Sequence, residues 1–336
     1  MAAPRTEVTE IVTGLAMLGH DDLRWALAAH PPALRNVSGE RWERLAALER
    51  EGRFRLEFAA AWANGATFLR ADDGLRGRVP LLVEWKGPHR DPAEGAVPAD
   101  LRVDHVYLVS CKYLSRILVN ASPAHLFDRA LAGGPGVTGP DWYLGAAPGA
   151  YQELYAEVRA GLPADLHLPP YAADLAPDHR AALREALRRG WPPGGAVAAY
   201  RAFAGEVARA SAERWRQALG TKRAREAMLW RLLRIGPAPY FVLGAAEGRP
   251  LRLRIMTPWD WRQRFDLRRF DVWGDEAGQP TVRWRATVRD RGGGGDAVLD
   301  GHVEIRWSHG RFAQPPEAKV YLDTPHHRVP GYVPLS

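Results

Sequence analysis

The period of the apolar residues changes at Pro239, and this change restricts the possible folds more than any other feature. Before it, apolar residues recur mostly every three or four positions. After it they alternate with polar ones, in YFVLG, LRLRIM, TVRWRATV, HVEIRW and EAKVYL. A chain with both periods must pack helices against sheets, which selects a mixed α+β or α/β fold. With 336 residues, 46% of them hydrophobic, it has material for two modest domains or one large one.

Residues 7–62 read as helices, broken at Pro31 and Pro32 and again at Gly52. ATFLRADD, residues 66–73, predicts a short strand ending in a turn at Asp72, Asp73 and Gly74. Pro80–Lys86 and His105–Leu114 predict two further strands, separated by an exposed Pro-, Gly- and Asp-rich loop from Gly87 to Asp104. Ser122 followed by Pro123 is a helix start. The order is helix, three strands, helix. A Gly- and Pro-rich stretch at 132–147 marks a boundary, and helices are expected over Ala150–Gly161, Asp178–Gly190, Val197–Leu219 and Thr221–Arg234. Three segments follow: a helical N-terminus with an α/β core at 1–131, a helical segment at 132–235, and a β-rich Arg/Trp domain at 236–336.

No apolar run approaches the ~20 residues that a membrane-spanning helix needs, so no membrane partner is expected. The N-terminal MAAPRTEVTE lacks the apolar stretch of a signal peptide, and a cytoplasmic protein is the expectation. Cys111 is the only cysteine, which excludes an internal disulfide and a thiolate metal cage, and its apolar neighbours read as those of a buried, inert thiol. The net charge of +7 favours an anionic partner. Of 46 basic residues only four are lysines: Lys86, Lys112, Lys222 and Lys319. Three of these stand two residues after Glu84, Ser110 and Glu317. Lysine is a compact cation that can titrate and arginine in effect cannot, so a lysine with a chemical task resists replacement by arginine.

The expected strands carry Glu84 and Lys86, then Ser110 and Lys112, with Asp104 at the second one's entrance. Alternation puts Glu84 and Lys86 on one face of their strand and Ser110 and Lys112 on one face of theirs. Over Arg53–Leu131 the pattern resembles the PD-(D/E)XK nuclease superfamily, which has an acid on its second core strand and (D/E)-x-K on its third. Glu84 in LLVEWKG and Ser110-Cys111-Lys112 in LVSCKYLS match these positions. Glutamate replaces the usual aspartate, and Ser110 stands where an acid is expected.

The resemblance implies a restriction-endonuclease-like core and a Mg2+- or Mn2+-dependent endonuclease acting on DNA, in a restriction or antiviral defence setting. Lys112, Glu84, Ser110 and Lys86 would be its catalytic residues, with Glu84 holding the metal and Glu57 or Asp104 supplying the missing ligand. Carboxylates hold a hard cation that neutralises the phosphate, and a lysine beside it orients water or stabilises charge building on phosphorus. A structural Glu–Lys cross-strand pair is the competing reading. Asp72 or Asp73 with Glu84-Trp85-Lys86 also fits the formula, but leaves the following strand without a role. A third placement uses Glu304, Glu317 and Lys319, with His309 and Arg311 in the hairpin between. No helix follows it, and a nucleic-acid-reading hairpin or a plain ion pair suits it better.

Nucleic acid is expected to meet the basic helix through Lys222, Arg223, Arg225 and Arg231, and the strands through Arg252, Arg254, Arg283, Arg285 and Arg311. DNA is the partner the resemblance implies and RNA the alternative, with a homodimer or a multi-protein complex as the assembly. Two other readings stay open: a non-catalytic nucleic-acid-binding component, and a protein–protein adaptor whose tryptophans form an interface.

Overall fold

Val8, Ile11, Val12 and Leu15 recur at helical spacing, and the helix they form is buried from Glu7 to Ala16. A computed structural model describes residues 4–87, 99–113, 117–128, 141–188, 190–246, 248–275, 278–308 and 310–336. The chain begins with α1 (Pro4–Ala16), α2 (Leu23–Ala29), β1 (Leu34–Arg35), α3 (Gly39–Arg50) and α4 (Arg55–Arg70). Next come β2 (Val83–Trp85), β3 (Leu101–Val103), β4 (Tyr107–Lys112) and β5 (Ile117–Ala121). The helical stretch holds α5 (Pro123–Phe127), α6 (Trp142–Ala146), α7 (Pro148–Ala160), α8 (Pro177–Ala186), α9 (Val197–Ala218) and α10 (Lys222–Leu232). Then follow β6 (Tyr240–Ala246), β7 (Arg249–Ile255), α11 (Pro258–Arg264), β8 (Phe265–Asp275) and β9 (Thr281–Asp290). The last three are β10 (Gly295–Arg306), β11 (Glu317–Leu322) and β12 (Tyr332–Pro334). The fold is a mixed α+β one.

Two expectations about single elements are corrected. ATFLR is the end of α4, not a strand: Ala61, Gly65 and Phe68 keep the helical spacing and are buried against the core. The segment read as a loop from Gly87 to Asp104 contains β3; residues 88–98 of it lie outside the described residues. Three residues are too few to register as alternation in the sequence.

The chain divides into two compact units. The first comprises Met1–Arg116, Leu233–Phe265 and Pro325–Ser336, the second Ile117–Leu232 and Asp266–Thr324. The β-rich stretch after Pro239 is therefore shared between both units and does not form one consecutive domain. Backbone pairing gives the reason. The β2–β3–β4 ladder leaves β4 with an open edge, and β6 pairs with it in parallel.

Among the described residues, the first unit has a mixed seven-stranded sheet in the order β1-β2-β3-β4-β6-β7-β12. One face packs on α1 and α4 through Val83, Trp85, Leu101, Val103, Val109, Phe241 and Leu243. A Cβ at Gly65 would lie 2.1 Å from the Thr13 carbonyl oxygen, so only glycine lets α4 approach α1 this closely. In the second unit the sheet order is β5-β11-β10-β9-β8, with α9 against β9. Val282, Trp284, Ala286 and Val288 of β9 are buried, while Arg283 and Arg285 between them are exposed, as the sequence alternation predicts. Ser122 caps α5 by accepting the His125 N–H at 3.2 Å, with Pro123 in the first turn.

Candidate functional site

Glu84 lies in register with Arg102 of β3, which in turn lies in register with Leu108 of β4. Glu84 and Lys112 thus share a face, but β3 intervenes and Lys112 stands four residues beyond that row. At standard strand dimensions their Cα atoms are roughly 16 Å apart, too far for Lys112 to stand beside a metal held by Glu84. Glu84 instead accepts from Arg102 Nε at 2.6 Å and Nη2 at 3.1 Å, with His105 Nδ1 at 3.4 Å. The Arg102 hydrogen bonds, with the charge beside them, hold the Glu84 carboxyl below the usual range. The competing structural reading was a Glu–Lys pair; the cross-strand partner is Arg102.

The two acids meant to complete the site are engaged elsewhere. Glu57, in the first turn of α4, is ion-paired with Arg5. Asp104 sits in a left-handed turn at φ 48°, and its Oδ1 accepts the N–H groups of Leu81 (2.8 Å) and Leu82 (3.0 Å). Its other oxygen binds Arg78 at 2.6 Å. These contacts tie the hairpin together. Asp73 is bound to Arg254 at 3.1 Å and to Ser336.

A different carboxylate reaches the position where Ser110 breaks the family pattern. Asp100, one residue before β3 and buried, accepts Ser110 Oγ–H at 3.1 Å and the Cys111 N–H at 2.6 Å on the same oxygen. Its backbone N–H donates to Val109 O and its carbonyl accepts from Lys86 N–H, both at 2.9 Å. Lys86, Asp100 and Ser110 are thereby linked across three chain segments.

A second buried acid, Glu10 of α1, accepts the Trp85 indole N–H at 2.7 Å. Burial pushes the Cys111 thiol well up, and the charges of Asp100 and then Glu10 push it further, while Lys112 opposes them. Asp100 is fixed at the end of β4 by Ser110 and Cys111, and Glu10 by the Trp85 indole. Cys111 is half-buried rather than buried, and its raised pKa disfavours the thiolate. Asp100 escaped the sequence reading because it stood in an apparent loop, and Glu10 because an acid in an amphipathic helix reads as solvated. The signal for Glu10 was its place between Val8 and Ile11.

Magnesium commonly takes one or two carboxylates, substrate phosphates and water. Glu10 and Asp100 are hard oxygen donors of that kind, and their chemistry fits. Among the described residues no group of three or more His, Cys, Asp or Glu side chains is arranged to hold a metal.

The C-terminal placement is a charge ladder across β10 and β11, in which Glu304 lies in register with Lys319 and Arg306 with Glu317. Glu304 accepts from Tyr321 and Arg306, and Glu317 from Ser308 and Lys319. The expected nucleic-acid contacts fall in both units. Arg252 donates to Asn64 Oδ1 at 2.8 Å, because its register with Leu243 turns it toward α4. Lys222 pairs with Asp266, Arg283 with Asp275 and Arg285 with Asp300. Arg225 donates to the Thr221 carbonyl, Arg223 and Arg231 are exposed on α10, and Arg311 stacks over Trp191 at 5.3 Å. No protein family, curated protein or solved structure matches this chain.

Proposed function

We propose that the first unit carries a Mg2+-dependent phosphodiesterase site of the PD-(D/E)XK type, acting on DNA, built on Asp100 and Lys112 with Glu10 as the helix-borne acid. The observation that carries this reading is the Asp100 carboxylate held against Ser110, two residues before Lys112. It supplies a carboxylate where the strand itself lacks one. A β4 strand paired in parallel with β6, behind the β2–β3–β4 ladder and α4, is compatible with a restriction-endonuclease-like core.

Asp100 would hold the metal, and Glu10 is the acid that α1 brings to the Trp85 face of the sheet. When bound, the ion would neutralise a phosphate oxygen and lower the pKa of a water. Ser110 and the Cys111 amide fix the orientation of the Asp100 carboxylate, so little reorganisation is needed when substrate binds. Lys112 supplies a positive charge at the end of β4, where negative charge develops on a scissile phosphate.

The test is cleavage of supercoiled plasmid and of RNA by the full chain, with Mg2+, with Mn2+ and with EDTA. Divalent-dependent nicking that disappears in Lys112→Ala supports the reading, and metal-independent or absent nicking overturns it. The absence of a three-donor cluster among the described residues favours a second reading, a nucleic-acid-binding component without catalysis. Binding without cleavage in the same assay is its signature.

A further inference from the structure

We infer that the second unit holds a nucleotide-binding pocket, separate from the Asp100–Lys112 cluster and independent of any catalysis there. A cavity of about 220 Å3 lies where the end of β10 meets α6 and α9. Tyr143, Tyr200, Phe203 and Trp307 supply its aromatic wall. Arg306, Arg311 and Lys319 supply its charge. The combination suits a planar base attached to an anion, since flat rings stack on aromatic side chains and phosphate takes arginine.

Two side chains in the wall lack a partner that a ligand could provide. Trp307 is only 8% exposed, and its buried Nε1–H has no hydrogen-bond acceptor among the described residues. A buried donor left unpaired is costly, and a base carbonyl or ring nitrogen would satisfy it. Arg306 and Lys319 each have a carboxylate, Glu304 and Glu317. Arg311 has none among the described residues and rests its guanidinium on the Trp191 ring. It lines the cavity beside Tyr143 and Tyr200.

The wall is held in place before any ligand arrives. Trp307 stacks on Phe203 with centroids 6.1 Å apart and meets Tyr143 edge-on at 4.9 Å. Beyond it the chain is fastened where Arg180 donates to the Phe312 carbonyl at 2.8 Å. Phe312 is fully buried and stacks on Tyr151 at 5.6 Å. Preorganisation of this kind lowers the entropy lost on binding.

The ligand is a nucleotide rather than another aromatic acid because a basic groove adjoins the cavity. This groove, about 850 Å3, shares Ser308 and Arg311 with the pocket. Arg180, Arg184 and Arg188 line it at four-residue spacing along α8 and the turn after it. A row of arginines leading to an aromatic slot fits phosphates leading to one inserted base. The same chemistry is offered by a free mononucleotide and by one nucleotide of a single strand.

Isothermal titration of the full chain in EDTA distinguishes the sources and tests the proposal. The titrants are the four deoxynucleoside monophosphates, the nucleosides, inorganic phosphate and 5′-phosphorylated oligodeoxythymidylate. A monophosphate should saturate, and should bind at least about tenfold more tightly than its nucleoside or phosphate alone, since both halves contribute. Arg311→Ala should weaken it about tenfold and Trp307→Phe about fivefold, while Arg311→Lys retains part of the affinity. A gain for the oligomer that Arg184→Ala removes identifies a strand as the source; equal binding of monomer and oligomer identifies a free nucleotide. The proposal is overturned if no monophosphate or oligomer saturates. Phosphate binding as tightly as the monophosphate overturns it too, as does unchanged affinity in both Arg311→Ala and Trp307→Phe. These titrations read binding in EDTA, where no metal-dependent cleavage occurs, so failure of the cleavage reading and failure of this one are separable.

Discussion

Ser110 Oγ donates to Asp100 Oδ2 at 3.1 Å, and the Cys111 N–H donates to the same oxygen at 2.6 Å. A carboxylate so held keeps its place without a metal, and asparagine can keep the same acceptor. Asp100→Asn should therefore fold normally and retain nucleic-acid binding while losing cleavage by about a hundredfold or more. Excess Mn2+ should restore part of it. Plasmid nicking alongside a denaturant midpoint checks this; nicking at the wild-type rate would remove Asp100 from the site.

Lys112→Ala should abolish cleavage, by about a hundredfold or more, with binding nearly intact, because a charge needed only as phosphorus becomes more negative adds little to ground-state affinity. Lys112→Arg should fail as well, since a planar guanidinium does not replace a compact ammonium. Lys319→Ala is the comparison: Lys319 lies in the β10–β11 charge ladder and lines the pocket of the second unit, and at saturating DNA its loss is expected to leave the nicking rate unchanged. The opposite pattern would relocate the active site to the second unit.

Glu84 was the acid the sequence favoured, and its pairing with Arg102 gives it a stabilising role. The hydrogen bonds from Arg102 lower its pKa in the folded state below the ordinary glutamate value. The native state then binds the proton less readily than the unfolded chain. Its contribution is fully present above the unfolded pKa and is lost as pH falls through the folded one. Glu84→Gln should cost on the order of 1 kcal/mol at neutral pH, and its Tm should converge with wild type in acid. Tm measured from pH 7 to pH 3 reads this directly. Cleavage should be little affected.

The helices and the alternating strands were legible because many residues repeat one pattern. Val8, Ile11, Val12 and Leu15 mark α1, and Val282, Trp284, Ala286 and Val288 mark β9. Gly52, with φ 68°, breaks the helical run where expected. Short elements and distant pairings were not legible. Leu101–Val103 is too brief to show a period, and nothing local tells β6 to pair with β4. The site suffered for the same reason. Because β3 is invisible in the sequence, Glu84 and Lys112 look like neighbours and Asp100 looks like a loop residue. Lysine scarcity pointed to Lys112 and also to Lys319, which it could not tell apart.

Arg283 and Arg285 already face carboxylates and should contribute less to phosphate contact than their exposure suggests. Arg283 and Arg285 are paired with Asp275 and Asp300, each at 2.6 Å. Arg223 and Arg231 are exposed on α10, and Arg225 donates to the carbonyl of Thr221. Each phosphate contact adds about 0.7 to 0.9 to the slope of log K against log salt. Replacing Arg223, Arg225 and Arg231 together with alanine should flatten the slope by about 2 and weaken binding at low salt. Replacing Arg283 and Arg285 should change the slope by less than about 0.5, because their nitrogens are bound to aspartate instead of exchanging counterions with the strand. Filter binding between low and moderate salt measures both slopes. Equal flattening in the two variants would mean that the ion pairs of β9 open on binding. An unchanged slope in the α10 variant would take that helix out of the nucleic-acid surface.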